Sequence, residues 1–407
     1  MVEKNWAGTH EFVASAIHNP TTIGEAQELV ANADRIRPLG TRHSFNDIAD
    51  GVELLSLVDV PPEPTTDGQT VTVTGGTKYA VVATWLEQNG LALHNMGSLP
   101  HISVAGATST ATHGSGLALG NLSTAIRALE FITPSGELET IREGDADFAG
   151  AAVALGALGP IARVTLAVQP SYQVRQDVFV DLGWDALLTD TRAIFESGYS
   201  VSVFTNWADD TARIWVKTRL DERETVPDEL FGAQREKVQL KVLDGEDNMT
   251  QQGGVPGPWS ERLPHFRIDA TPSNGDEIQT EYMVAMTDAA AALTAVRELS
   301  ATIAPALFVT ELRSVAADDL WMSTATGRDT LCIHFTWKNL PDQVHAIIPL
   351  IEAALAPFAA RPHWGKVNHV TGFDDLYDRL PDFRALVARR DPAGKYGNSY
   401  LTNLLGL

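Results

Sequence analysis

Five side chains in the C-terminal half of the chain are of types that donate, accept or transfer protons, and four of them fall in pairs. Glu311 and Arg313 lie two residues apart within Phe308 to Arg313, and His334 and Thr336 lie two apart within Leu331 to Trp337. Alternation along a strand puts both members of each pair on one face. Lys366 follows in the run His-Trp-Gly-Lys. A neutral molecule carrying several hydroxyls needs acceptors and donors together. Glu311 accepts, Arg313 and Lys366 donate, and Ser98 and Thr336 do either. A carboxylate substrate would want the arginine without the glutamate. Spacing alone leaves plainer readings open. Glu311 with Arg313 also reads as a salt bridge on an exposed edge strand. His334, inside Leu-Cys-Ile-His-Phe-Thr-Trp, also reads as a hydrogen-bonded core histidine, and Lys366 as a solvated lysine.

Two N-terminal segments have a different character. Arg37-Pro-Leu-Gly-Thr-Arg-His-Ser-Phe-Asn46 places a loop after a short strand, offering consecutive backbone N–H groups and hydroxyls to an anion such as a pyrophosphate. Taken alone, it reads first as an ordinary turn with a surface histidine, since loop residues of these types are common. The segment from Gly97 to Gly116 is a run of Gly, Ala, Ser and Thr with few bulky or charged side chains. A core would use larger residues and a solvated loop more charge, so the backbone is expected to approach a ligand there. Gly114-x-Gly116-x-x-x-Gly120 is one residue too long for a dinucleotide fingerprint and lacks a preceding apolar strand.

The elements that must hold these residues are legible from periodicity. A helical pattern at Ile23, Ala26, Leu29 and Val30 leads into the strand Arg35 to Leu39. Gln69 to Thr74 alternates as a half-buried strand, Gly75-Gly76 breaks it, and Tyr79, Val82, Ala83 and Leu86 recur as a helix closed by Asn89-Gly90 before the strand Leu91 to Leu93. Further strands are predicted at Ser200 to Thr205, Ala212 to Lys217 and Glu281 to Ala285, with helices near Ala289 to Ile303 and Val344 to Leu355. The tail, Leu376 to Leu407, reads as helix and loop returning to the first unit. An α+β chain of 407 residues exceeds what one core usually supports, so two domains are expected: 1–170 with 370–407, and 171–369 as a mixed-sheet cap. A formal charge of −22 disfavours nucleic acid and anionic membrane surfaces, and no apolar run is long enough for a signal peptide or a membrane span. The expectation is a soluble, cytoplasmic monomer. The single cysteine, Cys332, excludes an internal disulfide or thiolate metal cage, so redox chemistry requires a cofactor.

The motifs RPLGTRHSFNDIA, NMGSLPHISVAGATSTATHGSG, LGALGPIARVTL, GVPGPWSERLPHFR, RPHWGKV and DPAGKYGNSY, in this order along nearly the whole chain, resemble those of the alditol (xylitol) oxidases within the vanillyl-alcohol oxidase superfamily of FAD enzymes. The resemblance implies FAD joined covalently to His43, with the loop Pro38, Leu39, Gly40, Thr41, Arg42 and Ser44 holding the pyrophosphate. It implies that Gly97, Ser98, Ser103, Gly106, Ser109, Thr110, Ala111, Thr112 and His113 line the cofactor, with Ile161 packing near it and His363 approaching from the cap. No cysteine lies between Gly97 and Gly106, so a single covalent bond is expected. It further implies a PCMH-type FAD-binding fold, and reverses the plainer readings of Glu311, Arg313, His334, Thr336 and Lys366.

On that basis the expected reaction is oxidation of the terminal primary alcohol of a small polyol, such as xylitol or sorbitol, to an aldose. Hydride goes to flavin N5 and O2 is reduced to H2O2. His334 takes the hydroxyl proton, and Lys366 and Arg313 stabilise the developing alkoxide. Gly97 lacks a side chain to block oxygen from the flavin. A sugar-lactone oxidoreductase of the same superfamily, and a catalytically silent flavin- or sugar-binding protein, are the competing readings. A metal hydrolase would have to use His94, His101 and His113, which show no helical ligand spacing, and no metal is expected.

Overall fold

The structure, a computed structural model, describes residues 3–242, 248–270 and 276–406. The N-terminal elements form where the periodicities predict them. Thr22 caps the helix Ile23–Asn32 by accepting from the Glu25 backbone N–H. The chain then enters the strand Arg37–Leu39, which joins Glu53–Ser56 and Ala16–His18 in a three-stranded parallel sheet. The alternating Thr-Val strand Thr70–Thr74 joins a five-stranded antiparallel sheet with Thr65–Thr66, Ile161–Ala167, Ile126–Ile132 and Leu138–Arg142. Gly75 and Gly76 lie where this sheet meets the next segment. A Cβ on either would fall 2.0 Å from a backbone carbonyl oxygen, of Ile161 or of Leu57, so only glycine lets the backbone pass. The tail, apart from Leu407, which lies outside the described residues, packs Leu380, Phe383, Leu386, Leu401 and Leu404 into this first core. Arg37 ties it in place from below the loop, its buried guanidinium donating to the carbonyls of Leu155 (2.6 Å) and Tyr396 (2.8 Å).

The second body of structure is a ten-stranded sheet, counted among the described residues, that runs from Gln173 to Pro362. Its centre is the series Thr211–Arg219, Ser200–Thr205, Leu307–Val315, Thr330–Lys338 and Glu277–Ala285. These ladders are all antiparallel, a refinement of the mixed sheet expected. The strands Glu277–Ala285 and Leu307–Val315 are joined by a helical crossover and flank Thr330–Lys338 on either side, so each pairs antiparallel with that strand between them. One face carries Ile333, Phe335 and Trp337 into an apolar core closed by the helices Trp184–Thr189, Ala289–Arg297 and Pro341–Leu355. The helical stretch predicted to reach Ile303 is divided, because the backbone leaves helical geometry at Leu299 (ψ 5°) before Ser300–Ile303 resumes it. The sheet's other face turns towards the N-terminal unit. Trp259, Leu263, Trp321 and Trp364 extend from the second unit's span into the first core and lock the two together.

Candidate active site

Strand register decides which side chains share that inward face. Across three neighbouring strands Glu281 pairs with His334, and His334 with Glu311, while Gln279 pairs with Thr336 and Cys332 with Arg313. Directly paired residues point the same way, and so do residues two apart. One patch therefore gathers Gln279, Glu281, Glu311, Arg313, Cys332, His334 and Thr336. The alternative of a surface salt bridge for Glu311 and Arg313 is set aside, since each is only 6% exposed.

Together with the N-terminal loops this patch walls a cavity of about 770 Å³. Its lining includes Pro38, Leu39, Gly40, Thr41, Arg42, His43 and Ser44 from the first loop, and Gly97, Ser98, Ser103, Gly106, Ser109, Thr110, Thr112 and His113 from the small-residue segment. Ile161, Glu311, Arg313, His334, Thr336, His363 and Lys366 complete the set taken from the sequence. Ala111 is the exception. Its methyl lies in the first hydrophobic core, and its φ of +53° turns the backbone so that Thr110 and Thr112 face the cavity instead.

The N-terminal wall is built of backbone. A Cβ on Gly40 would lie 2.7 Å from Ser103 Oγ, and one on Gly106 2.8 Å from the same atom, so the loop and the short helix Val104–Ser109 meet too closely for side chains. Ser103 Oγ is buried with no hydrogen-bond partner among the described residues. Thr41 Oγ1 accepts from the Ser103 backbone N–H at 3.0 Å and lies 3.0 Å from His43 Nδ1. The His43 ring stacks on Trp6 at 5.3 Å, and burial, with His101 nearby, lowers its pKa to about 4. A long, largely uncharged trough with an unsatisfied hydroxyl and a neutral imidazole on its wall fits FAD: consecutive N–H groups suit the pyrophosphate and the trough suits a flat ring. The first loop is also bonded to the far segment, with Phe45 N–H donating to Gly365 O (2.7 Å) and Asn46 Nδ2 to the carbonyls of Trp364 and Lys366.

The opposite wall is charged. Glu281, 1% exposed, meets Arg313 Nη2 at 3.1 Å, Lys366 Nζ at 2.9 Å and His113 Nε2 at 3.2 Å. The Arg313 contact is a hydrogen bond, and the other two are close approaches without hydrogen-bond alignment. Burial alone would raise the Glu281 carboxyl, but Lys366, His113 and Arg313 outweigh it and hold the group well below its usual range. Glu311 is lowered in the same sense, burial being overcome by Arg313 and His265. His334 goes the other way from a charged histidine: burial and Lys366 push its pKa well below the ordinary value, leaving a neutral imidazole. Gln279 donates its amide to Glu277 Oε1 (2.5 Å) and accepts from His334 Nε2 (3.2 Å), which leaves the lone pair on Nδ1. Arg313 Nη1 also donates to Ser98 Oγ at 3.3 Å. His363 approaches His113 with ring centres 6.2 Å apart, and burial lowers it to about 3.

Glu281, Gln279, His265 and Lys217 were missed from the sequence. Glu281 was in a predicted strand, and a lone carboxylate in the apolar run Tyr-Met-Val-Ala was its one signal; its partners are 32 or more residues away. The three histidines of the hydrolase alternative are not brought together: His94 and His101 bond to the carbonyls of Gly120 and Ile268 rather than converging on His113.

Comparison with known proteins agrees with this geometry. A family model described as FAD binding domain matches residues 14–142, and one described as D-arabinono-1,4-lactone oxidase matches residues 271–404. The chain is 43% identical to an alditol oxidase from Streptomyces sp. over 98% of both chains. It is 31% identical to an L-gulono-1,4-lactone dehydrogenase from Mycobacterium tuberculosis, over 99% of this chain and 98% of that one. Among solved structures it resembles cholesterol oxidase from B. sterolicum in fold, with a TM-score of 0.74 at 14% identity, covering 99% of this chain and 96% of that one. With near-complete coverage at that first identity, and a cofactor-domain match lying over the backbone-walled trough, the chain belongs to the alditol oxidase family of FAD-dependent oxidoreductases within the vanillyl-alcohol oxidase superfamily.

Proposed function

We propose that this protein oxidises the terminal primary alcohol of a small polyol such as xylitol or sorbitol, with O2 as the electron acceptor and H2O2 as the second product. The observation that carries this reading is the charge balance of the buried wall: Glu281 and Glu311 against Arg313 and Lys366. A balanced set of fixed donors and acceptors suits a neutral polyhydroxylated substrate, whereas an anionic one would face two carboxylates. FAD, when bound, supplies the hydride acceptor.

The chain's own residues then have these roles. Neutral His334 takes the hydroxyl proton at Nδ1. Arg313 and Lys366, held in place by Glu281, stabilise negative charge on the substrate oxygen, and Glu311, Ser98 and Thr336 bind the remaining hydroxyls. Pro38 to Ser44 with Gly97, Ser98, Ser103, Gly106, Ser109, Thr110, Thr112 and His113 hold the cofactor, Ala111 contributes through the backbone turn alone, and Ile161 and His363 flank it. His43 carries the covalent bond to FAD, for which a neutral ring nitrogen is the required form. We assign residues 1–170 and 370–407 to the cofactor domain and 171–369 to the cap, and we read the protein as a cytoplasmic monomer; no described helix is long and apolar enough to cross a membrane.

The test has two parts. Flavin fluorescence travelling with the denatured polypeptide on a gel, present in the wild type and absent in His43→Ala, supports the covalent site; fluorescence retained in the variant removes it. Anaerobic bleaching of the flavin by xylitol or sorbitol, with peroxide released on admitting air, supports the polyol reaction. Bleaching by an aldonolactone and not by either polyol would replace it with the lactone reading.

A further inference from the structure

Beside Glu311 lie two buried side chains that the proposed reaction does not use, Lys217 and His265, the second of which also lines the cavity. Lys217, 2% exposed, donates from Nζ to Leu263 O and lies 3.2 Å from His265 Nδ1. His265, 5% exposed, puts Nε2 2.7 Å from Glu311 Oε1. The ring is held on edge by Trp215 at 5.4 Å and Phe204 at 5.6 Å, so it cannot rotate without displacing both.

Hydrogen-bond bookkeeping fixes every proton in this row. Glu311 is an ionised carboxylate and only accepts, so His265 Nε2 must carry a hydrogen. Burial, with Lys217 beside it, lowers His265 to about 4, so the ring is neutral and Nδ1 has a bare lone pair. That lone pair needs a donor, and Lys217 supplies one whether or not its ammonium is deprotonated. The three groups therefore point one way, Lys217 to His265 to Glu311. One carboxylate oxygen, Oε1, is thus occupied by His265, while Glu311 itself lines the cavity.

We propose that His265, oriented by Lys217, is a positioning residue that presents Glu311 to one substrate hydroxyl and thereby sets the preference for a polyol over its analogue lacking that hydroxyl. This rests on the reading of Glu311 as a substrate acceptor. A buried acceptor left without its hydroxyl partner penalises the deoxygenated analogue, and the penalty is large only while the carboxylate is held in one place.

Two substitutions separate positioning from packing. His265→Gln keeps an N–H where Nε2 stands and so keeps the bond to Glu311; His265→Asn keeps an acceptor where Nδ1 stands, satisfies Lys217, and loses Glu311. Steady-state kinetics on xylitol and its monodeoxy analogues, with covalent flavin content measured beside them, read the difference. His265→Asn is expected to raise KM for xylitol about tenfold with a smaller change in kcat, and to shrink by a similar factor the preference over one analogue. His265→Gln is expected to keep both near wild type, and Lys217→Met to resemble His265→Asn. Equal behaviour of the Gln and Asn variants, or wild-type preference in Lys217→Met, would overturn the proposal. Glu311→Gln serves as the control. If it leaves the preference intact, the reading of Glu311 itself fails and takes this inference with it; if it abolishes the preference while His265→Asn does not, only the inference fails.

Discussion

The two walls of the cavity recognise their ligands by opposite means. The N-terminal wall is made of backbone: Gly40, Gly75 and Gly106 allow contact distances that a Cβ would forbid, and hydroxyls from Thr41, Ser103 and Thr110 fill in between. The cap wall is made of long charged side chains, balanced against one another and removed from water. A backbone wall tolerates little added volume and is indifferent to charge. A charged wall tolerates conservative changes in volume and fails when one partner is lost.

That contrast yields an ordered set of tests. The largest effect is expected from Glu281→Leu, which strands Lys366 as an unpaired buried cation and leaves Arg313 with Glu311 alone at 3.7 Å: about 3–5 kcal/mol of stability lost by denaturant unfolding, together with loss of polyol turnover. If Glu281→Leu unfolds at the wild-type midpoint, water reaches this wall and its charges are not held as described. On the backbone wall, Gly40→Val is expected to cost about 1–3 kcal/mol by overpacking against Ser103 and Gly106, seen as loss of bound flavin with the cap intact. Flavin at full occupancy in that variant would mean the close approach is unnecessary.

Gly97 divides the two cases, because a Cβ there would meet its nearest neighbour, Ile102 Cδ1, at an ordinary 3.6 Å. Gly97→Val is therefore expected to fold and load flavin. It should slow reoxidation by O2 about tenfold, on the order of 1.4 kcal/mol of barrier, in stopped-flow measurements, while leaving anaerobic reduction by polyol little changed. A parallel fall in both steps would assign Gly97 to binding rather than oxygen access.

The smallest effect per group is shared by both walls. His43, His265 and His363 are lowered by burial to about 4, 4 and 3, and His334 lies well below its ordinary value. Each takes a proton in the unfolded chain before it does in the folded one. Their contribution is complete above about pH 6.5 and is lost as pH falls through the folded values, with Glu281 and Glu311 adding to the loss below about pH 4.5. Asp318, raised to about 6 by burial, and Glu352, also raised by burial, work in the opposite sense, two groups against four histidines. The melting temperature should thus fall from pH 7 to pH 5. A flat profile would show that these histidines are solvated.

The walls also differ in how far they were legible in the sequence. The backbone wall is written in two contiguous stretches, because glycine and small hydroxyl residues in series mark a close approach whatever lies opposite. Of the twenty-three residues that the sequence offered for it and the cap, all but Ala111, whose methyl packs into the first core, lie along the cavity. On the cap wall the pairs Glu311 with Arg313 and His334 with Thr336 were visible, because residues two apart on a strand share a face. Glu281, Gln279, His265 and Lys217 were not. Each belongs to the site through strand order and register, or through a loop that folds back over the sheet. Local pattern determines which face a side chain takes relative to its own strand. Which strands lie side by side, and so which buried charges meet, is decided only when the whole sheet assembles, since an isolated strand carries no record of its neighbour.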